Sequence, residues 1–225
     1  RLDLVHKNIE IFRQIMGEIA ARDVEGILLI VSNPVDILTY AAWKFSGLPR
    51  HRVIGSGTVL DTARLKCMLG GELGVDARSV HAFIIGEHGD SELAVFSSAN
   101  VSGIDLRDFY DMCQPDEYQN DTERIYDQVK DSAYKIIESK KATYFGVAMA
   151  VCRICECIMR NEHSILTVSG VVEGQYGASD MALSLPCIVG AGGLEQIIQI
   201  ELDEKEDEQL EESIRVLSQV LDECM

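Results

Sequence analysis

An uninterrupted apolar segment, Ile27-Leu28-Leu29-Ile30-Val31, most strongly limits what this chain can fold into. A strand without alternating polar residues has to be covered on both faces, which is typical of a central strand in a parallel sheet. Before this strand, apolar side chains recur at helical spacing: Leu2, Val5, Ile9, Phe12, Met16 and Ile19. That spacing predicts an amphipathic helix over residues 2–21.

The residues after the strand predict a second helix. Asn33 has the side chain of an N-cap, Pro34 suits the first helical position, and Asp36 would lie near the positive helix end. We expect this helix to end at Gly47 and a short strand to follow at residues 53–55. Helix, strand, helix and strand in this order predict half of a doubly wound α/β fold with a parallel sheet.

The rest of the chain predicts mixed helices and strands, as in an α+β substrate-binding domain. The expected elements are a helix from residue 58 to Gly70, strands at 79–85 and 92–97, helices at 122–140 and 142–160, strands at 164–171 and 182–189, and a final helix from Glu204. No glycine-rich dinucleotide fingerprint precedes the first strand, and Gly55-Ser56-Gly57 alone is too weak to serve as one. Because the chain starts without methionine and inside a helical pattern, we expect an N-terminal portion to be missing.

Charge and cysteine content exclude several classes of function. The net charge of −17 argues against nucleic acid or an anionic membrane as a partner, and no apolar run is long enough to span a membrane. The cysteines cluster only at Cys152, Cys155 and Cys157, where buried small side chains are favoured over a metal site. We predict no metal. The odd number of cysteines and the lack of a secretory signal favour the cytoplasm.

Three short segments contain polar residues that suit chemistry, although each also has an ordinary structural explanation. Asp61 and Arg64 would share one helix face, but Thr58 and Asp61 also fit a capping box. Asn33 fits a ligand contact as well as an N-cap, since ligands bind at strand ends in doubly wound folds. His88 lies in a glycine-flanked loop, where it would exchange protons near neutral pH or simply belong to a turn.

Taken together and in order, these segments resemble the lactate dehydrogenase family. The resemblance rests on Ser32-Asn33-Pro34-Val35-Asp36, on Gly55-Ser56-Gly57-Thr58-Val59-Leu60-Asp61-Thr62-Ala63-Arg64 and on Gly86-Glu87-His88-Gly89-Asp90-Ser91-Glu92, and it extends over essentially the whole chain. It implies a Rossmann fold, with residues 1–55 as the C-terminal part of the dinucleotide-binding domain and residues 56–225 as a substrate-binding, catalytic domain. It also implies NAD as cofactor, pyruvate and L-lactate as substrates, and a homotetramer.

The resemblance assigns a role to each matching residue. His88 matches the proton donor and acceptor, Asp61 the carboxylate that orients it, and Arg64 the residue that binds the substrate carboxylate. The other matches are Asn33 at the reacting oxygen and the cofactor, Arg1 as the arginine that polarises the carbonyl, Thr143 near the substrate methyl group, and Val31 and Ser56 near the nicotinamide.

Two further positions resemble a regulatory site of the bacterial enzymes in this family. Lys66 and His81 match a basic residue and a histidine that bind fructose 1,6-bisphosphate between subunits, although arginine is usual at the first position.

Other functions remain open from the sequence. Malate dehydrogenases and branched 2-hydroxyacid dehydrogenases share much of the pattern, although Gly55–Thr62 and Thr143 look lactate-type. An inactive truncated fragment that acts only in oligomerisation is a further alternative.

Overall fold

In the computed structural model, residues 2–22, 24–114, 117–140 and 144–225 are described, with only the backbone described for residues 2, 3 and 133–140. Its helices are α1 Leu2–Ala20, α2 Val35–Ser46, α3 Val59–Leu73, α4 Leu106–Cys113, α5 Tyr118–Lys140, α6 Phe145–Arg160 and α7 Glu204–Cys224. Its strands are β1 Leu28–Ile30, β2 Val53–Gly55, β3 Val80–Ile85, β4 Leu93–Val101, β5 Ile104–Asp105, β6 Ser164–Leu166, β7 Ser169–Glu173, β8 Ser179–Ser184, β9 Cys187–Gly190 and β10 Gly193–Ile197.

The first 55 residues form the predicted helix–strand–helix–strand unit. β1 and β2 pair in parallel, with Leu28 opposite Val53 and Ile30 opposite Gly55, and α2 connects them. α2 contacts α1 and α7 as well as β7 and β8, so its residues 35–42 are all buried. The helix ends as predicted at Gly47, which adopts a left-handed conformation that glycine reaches without strain.

The predicted N-cap of α2 is wrong. Pro34, with an extended backbone, occupies the N-cap position, and no side chain caps the helix there. Helical backbone therefore begins one residue later than expected, at Val35, and the exposed Asn33 side chain is not used as a cap.

Within the described residues the first strand lies at an edge of its sheet, so its predicted central position, which assumes the expected N-terminal portion, is not tested. The sheet order is β1-β2-β7-β8, so β1 lies at an edge and pairs with β2 alone. Leu28 and Leu29 are half-buried, and only Ile30 is fully buried. On its other side β2 continues into the antiparallel pair β7–β8, with Gly55 opposite Ser169. The sheet therefore extends from the first 55 residues into the second part of the chain.

The predicted strands 164–171 and 182–189 each divide into two. β6 pairs with β9 and β10 in one sheet, while β7 pairs with β8 in another. Each apolar segment therefore crosses from one sheet to the next, at residues 167–168 and 185–186 respectively. A continuous apolar pattern does not reveal such a change of partner, because both sheets bury the same kinds of side chain.

A second core forms around the sheet β3-β4-β5, against which α3, α4 and α5 pack. The antiparallel pair β3–β4 was predicted; α4, β5 and β10 were not. α3 runs to Leu73 and ends at Gly74, not at Gly70, because Gly74 has the left-handed backbone. α7 is joined to β4 by Glu206, whose buried carboxylate accepts hydrogen bonds from the backbone amides of Phe96 and Ser97. In the described part of the chain no helix is long and apolar enough to cross a membrane.

Candidate active site

The start of α3 is locked against the end of β3. Gly57 has a φ of +52°, and a Cβ there would lie 2.5 Å from the carbonyl oxygen of Thr167. Thr58 Oγ1 donates to the carbonyl of Ile84 at 2.6 Å, and Thr62 Oγ1 accepts from the Ile84 amide at 2.9 Å. The expected capping box of Thr58 and Asp61 is therefore wrong, because Thr58 makes no side-chain cap. These contacts bring the first turn of α3 close to the loop that follows β3.

His88, Asp61 and Arg64 meet at this junction. His88 Nδ1 lies 2.9 Å from Asp61 Oδ2, and Arg64 Nη1 donates to Asp61 Oδ1 at 3.0 Å. Asp61 is thus bonded at both oxygens and is 3% exposed. His88 keeps a partly exposed ring whose other nitrogen, Nε2, is available for a substrate. The Nε and Nη2 edge of Arg64 is likewise not used by Asp61.

The charges around His88 favour its protonated form. Burial disfavours the imidazolium, but the hydrogen bond and negative charge of Asp61, with the charges of Asp36 and Glu92, raise the pKa of His88 to about 9. His88 therefore carries a proton at neutral pH. A reduction that takes this proton slows as the pH rises through about 9, whereas the reverse oxidation needs the neutral ring.

Asp36 positions the His88 loop, a role that the sequence did not reveal. Its buried carboxylate accepts a hydrogen bond from the backbone N–H of His88 at 2.8 Å and from Ser184 Oγ at 2.9 Å. Burial raises the pKa of Asp36, and the hydrogen bonds from His88 and Ser184 oppose this rise. Asp36 thereby joins the start of α2, three residues after Asn33, to the loop that carries His88. A carboxylate inside an apolar, wholly buried helix segment was the available signal.

The His88 loop is also held from β8 and α7. Gly86, with a φ of +93°, exchanges backbone hydrogen bonds with Ser184. The Glu87 amide donates to Ser213 Oγ of α7 at 2.8 Å. The loop is thus bonded to three separate elements, so the His88 ring is preorganised beside Asp61.

The predicted cofactor residues lie together at the carboxyl ends of the two parallel strands. Val31 directly follows β1 and is exposed, and Ser56 directly follows β2 and donates its backbone N–H to Ile30 at 2.8 Å. Asn33 is exposed in the next loop, where its carbonyl accepts a hydrogen bond from Asn8. Arg1 and Thr143 lie outside the described residues, so the structure does not test their placement.

Glu92 is a further buried acid that the sequence did not single out. Its side chain lies with those of Asp61 and His88, and the three groups have coordinating atoms within 4.8 Å of one another. Such a set could hold a metal ion by residue type. However, His88 Nδ1 is hydrogen-bonded to one Asp61 oxygen and Arg64 donates to the other, so the facing groups of Asp61 and His88 already pair with each other. The arrangement therefore suits proton transfer better than metal coordination.

Lys66 and His81, the predicted regulatory pair, line one cavity of about 390 Å³ away from His88. Arg78 and Arg153 line it too, but Arg78 pairs with Asp76 and Arg153 with Glu162. Lys66 and His81 form no ion pair with any residue that the structure describes.

Comparison with models of protein families identifies the family to which this chain belongs. A model of the lactate/malate dehydrogenase NAD-binding domain matches residues 1–55, and a model of the lactate/malate dehydrogenase alpha/beta C-terminal domain matches residues 58–225. Together the two models match almost the entire chain.

Individual relatives of the chain indicate the same family. The L-lactate dehydrogenase of Acetivibrio thermocellus is 51% identical over 98% of this chain and 70% of its own length, and that of Bacillus licheniformis is 50% identical over 98% and 69%. The ligand-bound crystal structure of the minor L-lactate dehydrogenase from Enterococcus mundtii superimposes with a TM-score of 0.95 and 43% identity, over 100% of this chain and 71% of that one. The chain belongs to the lactate/malate dehydrogenase family.

Proposed function

We propose that the chain interconverts pyruvate and L-lactate with NADH and NAD⁺. The observation that carries this proposal is the contact between the His88–Asp61 pair and Arg64, because it places a proton donor beside a binding group for a carboxylate. A 2-keto acid needs both groups at adjacent positions. Relatives of about 50% identity are named L-lactate dehydrogenases, which favours pyruvate over other keto acids.

The residues of this chain divide the reaction between them. When bound, NADH supplies the hydride to the keto carbon. Negative charge develops on the keto oxygen, and His88 delivers a proton to it from Nε2 while Nδ1 stays bonded to Asp61. Asp61 stabilises the imidazolium and fixes the ring orientation. In lactate oxidation the same nitrogen of neutral His88 accepts the hydroxyl proton.

Arg64 and the loop residues hold the reactants. The free edge of the Arg64 guanidinium binds the substrate carboxylate at two points. Asn33 and Arg1 stabilise the developing oxyanion, which is commonly the largest electrostatic contribution to such a reaction. The family resemblance assigns Thr143 to the substrate methyl group. These roles follow from the family resemblance, and that of Arg64 is supported by its position beside Asp61.

The carboxyl ends of β1 and β2 fit a nicotinamide cofactor. Dinucleotides bind at this edge of doubly wound sheets. Here the exposed apolar side chain of Val31 suits the face of the nicotinamide ring, and Ser56 lies beside it through its bond to Ile30. We assign Val31, Asn33 and Ser56 to cofactor binding, and we divide the chain at residues 55 and 56 into cofactor-binding and substrate-binding parts.

Pyruvate is expected to be preferred over oxaloacetate. The test compares kcat/KM for the two keto acids with NADH in the full-length protein. Oxaloacetate carries a second carboxylate, and Arg64 is the one residue assigned to binding a substrate carboxylate, so its kcat/KM should be lower by at least about tenfold, or 1.4 kcal/mol. A higher value for oxaloacetate would instead place the protein among malate dehydrogenases.

The assembly and location are proposals as well. We propose a homotetramer, supported by the exposed apolar residues Phe145, Met149 and Met159 of α6, which are 71%, 69% and 83% exposed. Exposed apolar groups on one helix are typical of a subunit contact.

We propose a cytoplasmic location, supported by the seven cysteines, all of which are free.

The cavity at Lys66 and His81 favours a second, regulatory role. Two basic side chains that have no acidic partner among the described residues suit a phosphorylated ligand, and we propose fructose 1,6-bisphosphate, bound between subunits. Burial lowers the pKa of Lys66, so an added anion would restore its preference for the charged form. Without the anion, paired copies of these cations would repel one another across the interface. The ligand would therefore stabilise the assembled, substrate-competent enzyme.

Fructose 1,6-bisphosphate is expected to lower the apparent KM for pyruvate, and more strongly at about pH 6 than at about pH 8, because histidine gains charge in mildly acidic solution. Lysine lacks the planar fork of arginine, so we expect weaker binding than with arginine. The measurement is a pyruvate titration at both pH values with and without the bisphosphate, with oligomer size followed in parallel. Superimposable curves and an unchanged size would leave Lys66 and His81 as ordinary surface residues.

A further inference from the structure

Glu92 is a buried carboxylic acid beside the reacting pair, and the mechanism above does not use it. Its side chain is 5% exposed, and its carboxylate lies in the cluster with Asp61 and His88. The backbone holds it there, because the Glu92 amide donates to Gly89 at 3.3 Å and its carbonyl accepts from the Tyr126 hydroxyl. The next residue, Leu93, begins β4. The backbone of Glu92 is therefore fixed at the edge of the site.

Three segments near Glu92 present titratable or charged groups to it. α3 presents Asp61 and Arg64, the loop after β3 presents His88, and α5 presents Lys130 and Tyr126. When Lys130 and an ionised Asp36 are counted with Asp61, protonated His88 and Arg64, the site still carries one net positive charge, which a substrate carboxylate neutralises. An ionised Glu92 would add a second buried carboxylate near Asp61 and leave the occupied site with an excess negative charge. Like charges this close in a buried site strongly disfavour each other.

We propose that Glu92 sets the charge of the substrate site: as a neutral acid it permits the keto acid anion to bind, and as a carboxylate it weakens that binding. The proposal rests on the proposed pyruvate reduction. Burial and the negative charge of Asp61 raise the pKa of Glu92 to about 8, although His88, Lys130 and Arg64 oppose the rise. Glu92 is then protonated at neutral pH, as is His88, whose pKa is raised to about 9.

The consequence is that two protons control pyruvate reduction on the alkaline side. Above about pH 8 the loss of the Glu92 proton lowers kcat/KM, and above about pH 9 the loss of the His88 proton lowers it further. At high pH, kcat/KM should therefore fall by about a hundredfold per pH unit. With His88 as the single controlling group it would fall by about tenfold per unit.

Glu92→Gln tests the proposal, because glutamine keeps the shape of the side chain and cannot ionise. The experiment measures kcat/KM for pyruvate against pH in the full-length enzyme for the wild type, Glu92→Gln and Glu211→Gln. The last is a matched control, since the same substitution is made at a glutamate that is exposed on α7 and lies outside the cluster of Glu92, Asp61 and His88. We expect the steep two-proton decline in the wild type and the control, and the one-proton decline in Glu92→Gln. If kcat/KM of Glu92→Gln fell with pH at the same slope as in the wild type and differed only by a constant factor, Glu92 would only support the structure. That result would overturn the proposal.

An infrared titration gives a readout that does not depend on turnover. A protonated carboxyl group has a C=O band that disappears on ionisation. We expect a band that is lost as the pH passes about 8 in the wild type and is missing from Glu92→Gln; the protonated form of Asp36 would contribute equally to both. If pyruvate is not reduced at all but this band is found, the proposed function fails and the protonated Glu92 stands. If pyruvate is reduced but the two spectra titrate identically, the inference fails and the function stands.

Discussion

Replacing His88 with alanine is expected to lower kcat for pyruvate reduction by about 10²–10⁴-fold, the usual contribution of a positioned general acid. The imidazole is the group that holds a proton at neutral pH beside Asp61, with its pKa raised to about 9. Affinity for NADH should be nearly unchanged, because the predicted cofactor residues lie at the ends of β1 and β2 and His88 acts on the substrate oxygen. Steady-state rates and NADH fluorescence titrations of the full-length protein measure the two quantities separately.

His163→Asn is the matched control for this experiment. His163 also hydrogen-bonds a carboxylate, Glu195, at 2.7 Å, but it lies on the surface. Its φ of +52° is one that asparagine tolerates, so the substitution removes an imidazole without backbone strain. This control should reduce pyruvate at the wild-type rate. Near-normal turnover of His88→Ala would show that another group supplies the proton.

Local sequence signals were sufficient for the elements that carry the site. α1 and α2 were predicted nearly to the residue, because their apolar spacing and the glycine at position 47 are local features. The contact between His88 and Asp61 joins residues 27 positions apart, and it was expected only from the family resemblance. No periodicity predicts which helix face meets which loop.

The sequence did not reveal the roles of the buried acids or the division of two apolar segments between different sheets. Asp36 looked like an ordinary acid in the first helical turn, and its role depends on Ser184, 148 residues away. Glu92 looked like the first residue of a predicted strand, and its burial depends on α5 packing against α3. The segments 164–171 and 182–189 read as single strands because a change of sheet leaves the apolar pattern intact. In each case the missing information was which distant element covers the residue.

Replacing Arg64 with lysine is expected to raise KM for pyruvate by about 30-fold to a few thousand-fold. Lysine keeps the positive charge but loses the planar fork, and a buried charge paired with the wrong geometry costs about 2–5 kcal/mol, at tenfold per 1.4 kcal/mol. Arg64 is 15% exposed in its side chain and is already bonded to Asp61 at 3.0 Å, so a lysine there has little freedom to find another arrangement. The effect on kcat should be smaller, because the proton of His88 is untouched.

A neutral substrate separates loss of carboxylate binding from damage to the site. If Arg64 binds the carboxylate, Arg64→Lys should lower kcat/KM strongly for pyruvate and only slightly for methyl pyruvate, whose ester has no charge to pair. Damage to the Asp61–His88 pair would instead lower both values by the same factor. Arg215→Lys serves as the control, because Arg215 makes a two-pronged contact with Glu212 on the exposed face of α7 and should affect neither substrate. An unchanged KM for pyruvate in Arg64→Lys would remove Arg64 from the substrate site, whereas equal losses for the two substrates would reassign it to holding Asp61 in place.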